Sequence, residues 1–289
     1  MGTDHARHAP SPDRVIDCQV HVWGPNTADR PWPARGGNLR HKPISAEDLV
    51  TEMDRQGVGR AILVPPVFEG DRNEVALAAA QAYPDRFAVM GRLNLNAADA
   101  PERLMRWTMT PGLLGIRQSF ALPEHRAQLL DGSTDWFWSA AEDAGLPVYV
   151  FCPGLFDQIG HIAQRHPRLR LVICHLGLAP EAGFRDLVQT VASLSTLSCH
   201  PNIAVTASAL PCHAGEPFPF KCLAEPLRRV LHDFGSERVF WGSDLTRLPC
   251  SYHEAVHYLP QLGILSEADL DGVMGKALIK WVGWPSPHR

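Results

Sequence analysis

The sequence predicts a single-domain (β/α)8 barrel, and three observations carry that expectation. Short runs rich in Val, Ile and Leu alternate with longer segments of helical pattern along all 289 residues, which is the signature of a parallel sheet. Several of these runs are apolar almost throughout, as strands are when helices cover one side and the barrel interior fills the other. Three of them, far apart in the chain, end in side chains that move protons or bind metals: His21, His175 and Asp244. In a parallel barrel the C-terminal strand ends converge on one face, and the chemistry sits there.

The elements follow in order. Arg14–His21 is the first strand candidate, and Ser45–Gly57 the first helix, with Ser45 and Asp48 at capping-box spacing and a closing glycine. Strands are expected over Arg60–Pro65, Phe87–Leu93, Leu113–Ser119, Pro147–Cys152, Arg170–His175, Ile203–Ser208 and Val239–Asp244. Helices are expected over Asn73–Tyr83, Ala98–Trp107, Thr134–Ala144, Asp157–His166, Glu181–Leu197 and Leu223–Phe234, several stopped by Gly or Pro. Ser266–Trp281 reads as a terminal helix that closes the barrel, and Met1–Asp13 as a flexible start. Two segments, Gly24–Pro43 and Ala209–Lys221, are too long for plain connections, and both leave C-terminal strand ends, where loops build pockets. No glycine-rich phosphate-binding turn follows the first strand, which counts against a nucleotide-binding sheet.

Composition removes several function classes. With 45% hydrophobic and 20% charged residues and a net charge of −4, the chain gives no reason to expect a nucleic-acid partner or an anionic membrane. No apolar run approaches the ~20 residues that span a bilayer. Met1–Asp13 lacks an apolar signal core, so a cytoplasmic location is expected. The seven cysteines include no CxxC pair, which argues against a disulfide framework or a zinc knuckle. The expected partner is a small molecule, with a homo-oligomer left open.

Side chains alternate across a strand, so Asp17, Gln19 and His21 are expected on one face, with Cys18 and Val20 facing the helices. His21, His175 and Asp244 then meet at the mouth. They suit either a three-ligand zinc site with an open water position or a metal-free acid–base pair. An aspartate beside an imidazolium stays ionised and usable as a base.

Three segments carry a resemblance: Asp17-Cys18-Gln19-Val20-His21-Val22-Trp23-Gly24-Pro25, Val172-Ile173-Cys174-His175-Leu176-Gly177 and Phe240-Trp241-Gly242-Ser243-Asp244. In this order and spacing the chain resembles the amidohydrolase-related (amidohydrolase 2) family of barrels, in particular its branch of 2-pyrone-4,6-dicarboxylate and sugar lactonases. The departures are informative. Metal-holding members usually have His-x-His after the first strand, where this chain has Gln19-Val20-His21, and a histidine after the fifth strand, where it has Cys152. Glutamine is a poor transition-metal ligand and a thiolate a good one. A divalent metal such as zinc would therefore use His21, Cys152, His175 and Asp244, and the expectation is a site without cofactor or tightly bound metal.

The resemblance implies hydrolysis of a small, anionic cyclic ester, with Asp244 activating water and His21 and His175 polarising the carbonyl. Substrate contacts are expected from Arg117, Gln19, Trp23, Cys152, Arg247 and Arg40, the last within a basic loop of Arg30, Arg35, Arg40, His41 and Lys42. The alternatives are a metal-dependent, non-oxidative decarboxylase of an aromatic or dienoic acid, and a non-hydrolytic barrel (a cyclase, an isomerase or a binding protein).

Overall fold

In the computed structural model, which describes residues 15–32 and 42–285, eight parallel strands follow one another in chain order round one sheet. They are β1 (Ile16–Val20), β2 (Arg60–Leu63), β3 (Phe87–Gly91), β4 (Leu113–Ser119), β5 (Val148–Phe151), β6 (Leu171–Ile173), β7 (Ile203–Ser208) and β8 (Val239–Gly242). Each lies within the segment that its apolar run predicts. Seven ladders join β1 through β8. The β8–β1 seam is closed differently, by a hydrogen bond from the Asp244 N–H to the Gln19 carbonyl at 2.9 Å and by side-chain bonds described below. Among the described residues, no helix is long and apolar enough to cross a membrane.

Helices α1 (Ala46–Gln56), α2 (Glu74–Ala82) and α3 (Ala100–Met105) fall where expected. The first is capped as its sequence requires: Ser45 accepts from the Asp48 N–H, and Gly57 ends the helix in the left-handed conformation at φ 70°. Next come α4 (Pro123–Leu130), α5 (Asp135–Asp143), α6 (Phe156–Arg165), α7 (Phe184–Leu194), α8 (Pro211–Ala214), α9 (Ala224–Phe234) and α10 (Tyr252–Gln261). The sequence reading missed α4, α8 and α10. In α4 only Leu129 is buried, so no apolar stripe announces it. In α10 the Ser251–Glu254 capping box is present and was the available signal.

Two apolar layers result. Val148, Val150, Leu171, Ile173, Ile203, Val205, Val239 and Trp241 belong to the core between sheet and helices. Ile16, Cys18, Ile62, Val64, Ala88, Met90, Tyr149, Val172, Ala204 and Phe240 fill the barrel. Burying each large aliphatic or aromatic side chain contributes about 1.5–3 kcal/mol. The expected terminal helix is broken into α11 (Glu267–Asp271), a π turn (Gly272–Lys276) and α12 (Ala277–Val282). Ala277, Leu278, Val282 and Trp284 join the interior cluster, so the segment does close the barrel. Arg60 lies 3.8 Å over the Trp284 ring and donates to the Pro285 carbonyl at 2.7 Å.

Gly115 shows how tightly the wall is built. A Cβ there would lie 2.6 Å from Met90 Sδ and 2.9 Å from Pro147 Cγ, and closer still to the Pro147 carbonyl oxygen. Gly115→Ala is expected to cost about 1–3 kcal/mol or more, read as a lower denaturation midpoint with an unchanged m-value. An unchanged midpoint would mean that β4 and β5 can part without penalty.

Candidate active site

The expected alternation along β1 breaks at its C-terminal end. Its pairing with β2 shifts register between Asp17 and Val20, the mark of a bulge. Cys18 therefore faces the barrel interior, and Asp17 turns toward Ser243 and Tyr252, the reverse of the sequence expectation. Val20 faces the helices as expected. Gln19 and His21 still reach the mouth.

His21 Nδ1 lies 2.6 Å from the Val64 carbonyl oxygen, and its Nε2 lies 3.1 Å from Asp244 Oδ1. Both ring nitrogens face oxygen acceptors. Asp244 is buried just beyond β8. Burial alone would raise its pKa, but the His21 hydrogen bond, the His21 charge and Arg247 outweigh burial and hold the carboxyl well below the usual carboxylate range. Its Oδ2 lies 3.9 Å from His175 Nε2 and 3.6 Å from Arg247 Nη1. Both separations exceed a direct hydrogen bond and suit a bridging water.

His175 is the opposite case. Its Nδ1–H donates to Ser208 Oγ at 2.8 Å, and Gln19 Nε2 donates to its Nε2 at 3.0 Å. Its backbone N–H donates to Thr206 Oγ1 at 2.9 Å. Burial pulls its pKa down to about 3, so the ring is neutral. Two histidines beside one aspartate thus have different surroundings: His21 faces two oxygen acceptors, and His175 accepts from a glutamine amide. His175, Leu176, Ala209 and Asp244 all adopt φ between 49° and 58°. Left-handed non-glycine residues cost about 1–3 kcal/mol each and cluster where function holds them.

Two arginines lie close enough for the charge of one to act on the other. Arg117, on β4, is buried; its Nη1 donates to the Gln118 carbonyl at 2.8 Å, and its Nε has no partner. Its guanidinium lies 5.3 Å from the Phe151 ring. Arg92, just past β3, donates from Nε to the Pro65 carbonyl at 2.6 Å. Burial and then the Arg117 charge pull its pKa down to about 9. Among the described residues neither guanidinium pairs with a carboxylate.

The structure brings Gln19, His21, His175, Asp244 and Arg247 together. Trp23 is buried nearby in sequence, held by its N–H on the Ile44 carbonyl at 3.2 Å, and its Nε1 lacks a partner. Cys152 is not at the mouth. It belongs to the core between sheet and helices, because Tyr149 and Phe151 take the inward positions of β5, and burial pushes its thiol far up. The inward residue at that strand end is Phe151, which meets the His175 ring edge-on at 5.7 Å. Arg30 is also spent, on Glu69 at 2.8 Å and Glu74 at 3.0 Å, and Lys42 is exposed. Arg35, Arg40 and His41 lie outside the described residues. Sequence reasoning missed Arg92 and Phe151; both stand at strand ends, and counting parity from the strand centres would have found them.

The donor set does not fit a metal ion. Among the described residues, no three His, Cys, Asp or Glu side chains are arranged to hold one. A glutamine amide occupies His175 Nε2, and Cys152 is turned away.

Fold and site together define a (β/α)8 barrel enzyme with acid–base groups at the C-terminal mouth. The chain belongs to the amidohydrolase family, whose model matches residues 16–284. It is 29% identical over 239 residues to an L-fucono-1,5-lactonase of Burkholderia ambifaria, covering 79% of each chain. It is 28% identical over 259 residues to a 4-sulfomuconolactone hydrolase of Rhizobium radiobacter, covering 83% of this chain and 79% of that one. A Burkholderia multivorans amidohydrolase, solved with bound zinc, shares the fold at a TM-score of 0.79 and 23% identity, over 94% of this chain and 99% of that one.

Proposed function

We propose that the protein hydrolyses a small lactone bearing an anionic group, by acid–base chemistry at Asp244. The carrying observation is the Asp244–His21 pair at 3.1 Å, with the second carboxylate oxygen 3.9 Å from His175 Nε2 and 3.6 Å from Arg247 Nη1. The two lactonase relatives support the ester class. The unpaired Arg92 and Arg117 support the anion, since a guanidinium fork matches a carboxylate or sulfonate.

In this reading a water at Asp244 Oδ2 attacks the lactone carbonyl and gives its proton to the carboxylate. The His21 ring, placed between Val64 and Asp244, polarises the lactone carbonyl. Collapse breaks the ring C–O bond, and Asp244 returns the proton to the leaving alkoxide, yielding the hydroxy acid. Neutral His175, fixed by Ser208 and Gln19, shapes the other side of the water site. The buried thiols of Cys18, Cys152 and Cys174 form no disulfide, which supports a reducing, cytoplasmic setting. Small molecules, not nucleic acid, are the expected partners of a chain with net charge −4.

A pH-indicator assay tests the reading with L-fucono-1,5-lactone, 4-sulfomuconolactone and five- and six-membered lactones with and without a carboxylate. Acid release well above the spontaneous rate is expected, with an anionic lactone preferred. No acceleration with any of them removes the proposal.

A further inference from the structure

The β8–β1 seam lacks a ladder, and its catalytic end is where Asp244 sits. Asp17 is wholly buried there, at 0% exposure. Its carboxylate accepts from the Ser243 N–H at 2.8 Å, the Tyr252 hydroxyl at 3.1 Å and the Gln19 N–H at 3.2 Å. The Ser243 hydroxyl donates to it as well. Ser243 Oγ in turn accepts the Leu245 N–H at 3.0 Å, and the Asp244 N–H is held by the Gln19 carbonyl at 2.9 Å. Three consecutive N–H groups, from 243 to 245, are thus tied to β1 directly or through Ser243. Between them Asp244 keeps φ at 49°, a conformation that persists only where its surroundings over-determine it.

We propose that Asp17 is a positioning residue for the reaction: through Ser243 it locks the left-handed Asp244 turn and so sets the Asp244 carboxylate against His21. The inference rests on Asp244 as the reacting base. Two features separate it from ordinary seam packing. The clamp surrounds the one strained residue of the seam, and it uses a charge that the fold would be more stable without. Burial pushes the Asp17 pKa up from 3.8 to about 6, outweighing its hydrogen bonds. A carboxyl raised in the folded state contributes stability at low pH that is lost as pH rises through about 6. Above that pH the buried charge works against the fold. Its four donors find enough acceptor sites on a carboxylate; an asparagine can keep the clamp if the Ser243 and Tyr252 hydroxyls turn to accept from its amide.

The test compares Asp17→Ala and Asp17→Asn with the parent enzyme, by NMR of the His21 and His175 rings, kcat and KM on the best lactone, and thermal unfolding. Asp17→Ala is expected to move the His21 ring signals as far as Asp244→Asn does. It should lower kcat about tenfold or more per folded molecule while KM stays within about twofold. Asp17→Asn should restore the ring signals and most of kcat, and unfold at the parent's temperature or above it at pH 7. If the alanine variant does not fold, Ser243→Ala removes one leg of the clamp and carries the same readings. Native His21 signals in the folded variant, or a kcat that falls only with the folded fraction, overturn the proposal. The ring signals need no substrate: displaced signals without lactone turnover would retain the clamp and remove the lactonase reading alone.

Discussion

Asp244→Asn is expected to lower kcat by about 10²-fold or more with little change in KM, since it keeps the side-chain shape and removes the proton acceptor. The loss should appear across neutral and mildly acidic pH, because the native carboxyl is held well below the usual carboxylate range and remains ionised throughout. Raising the pH should not recover the activity, as an amide gains no basicity there. The variant also leaves His21 Nε2 facing an amide in place of a carboxylate, so the ring loses its anionic partner at 3.1 Å. Near-native turnover of a cognate lactone by Asp244→Asn would move the base elsewhere, and His175, neutral with a Gln19-bound Nε2, would be the next group to test.

Removing the paired cations should change affinity and stability in opposite directions. A hydrogen bond to a charged group contributes about 1.5–3 kcal/mol, so Arg117→Met should raise KM for an anionic lactone by roughly 10–100-fold. The neutral ester of the same lactone should change far less. The Arg117 charge disfavours the charged form of Arg92, and among the described residues neither pairs with a carboxylate, so either single substitution should leave the unfolding midpoint unchanged or raise it. Equal effects on charged and neutral substrates would show that these arginines do not read charge, and the anionic half of the proposal would be dropped. A lowered midpoint would mean that Arg117 is needed chiefly for its contact with Phe151 and its bond to Gln118.

Much of this site was legible in the sequence because strand ends in a barrel converge by topology alone. His21, His175 and Asp244 could be placed together from three apolar runs without knowing a single contact. Parity was less legible. A simple alternation back from His21 puts Cys18 outward, and the resemblance puts Cys152 at the mouth, yet the bulge in β1 turns Cys18 inward and Asp17 toward the seam. In β5 the inward set is Tyr149 and Phe151, which leaves Cys152 in the sheet–helix core. Neither outcome follows from residue type, since cysteine is at home in both layers. Counting charges after β1 also does not reveal that Arg30 is consumed by Glu69 and Glu74, more than 35 residues away in the chain. Arg92 stands one residue beyond β3, in parity with the inward Ala88 and Met90, and only counting from the strand centre marks it.

The central claim is that the Asp244–His21 pair activates water without help from a metal ion. It is tested most directly by measuring lactone opening with protein that has been exhaustively chelated and then assayed for metal by mass spectrometry. Full turnover by protein carrying far less than one metal per chain is the expected result. Activity that disappears on chelation and returns with zinc or manganese would contradict the claim, and would require His175 Nε2 to exchange its Gln19 amide for an ion.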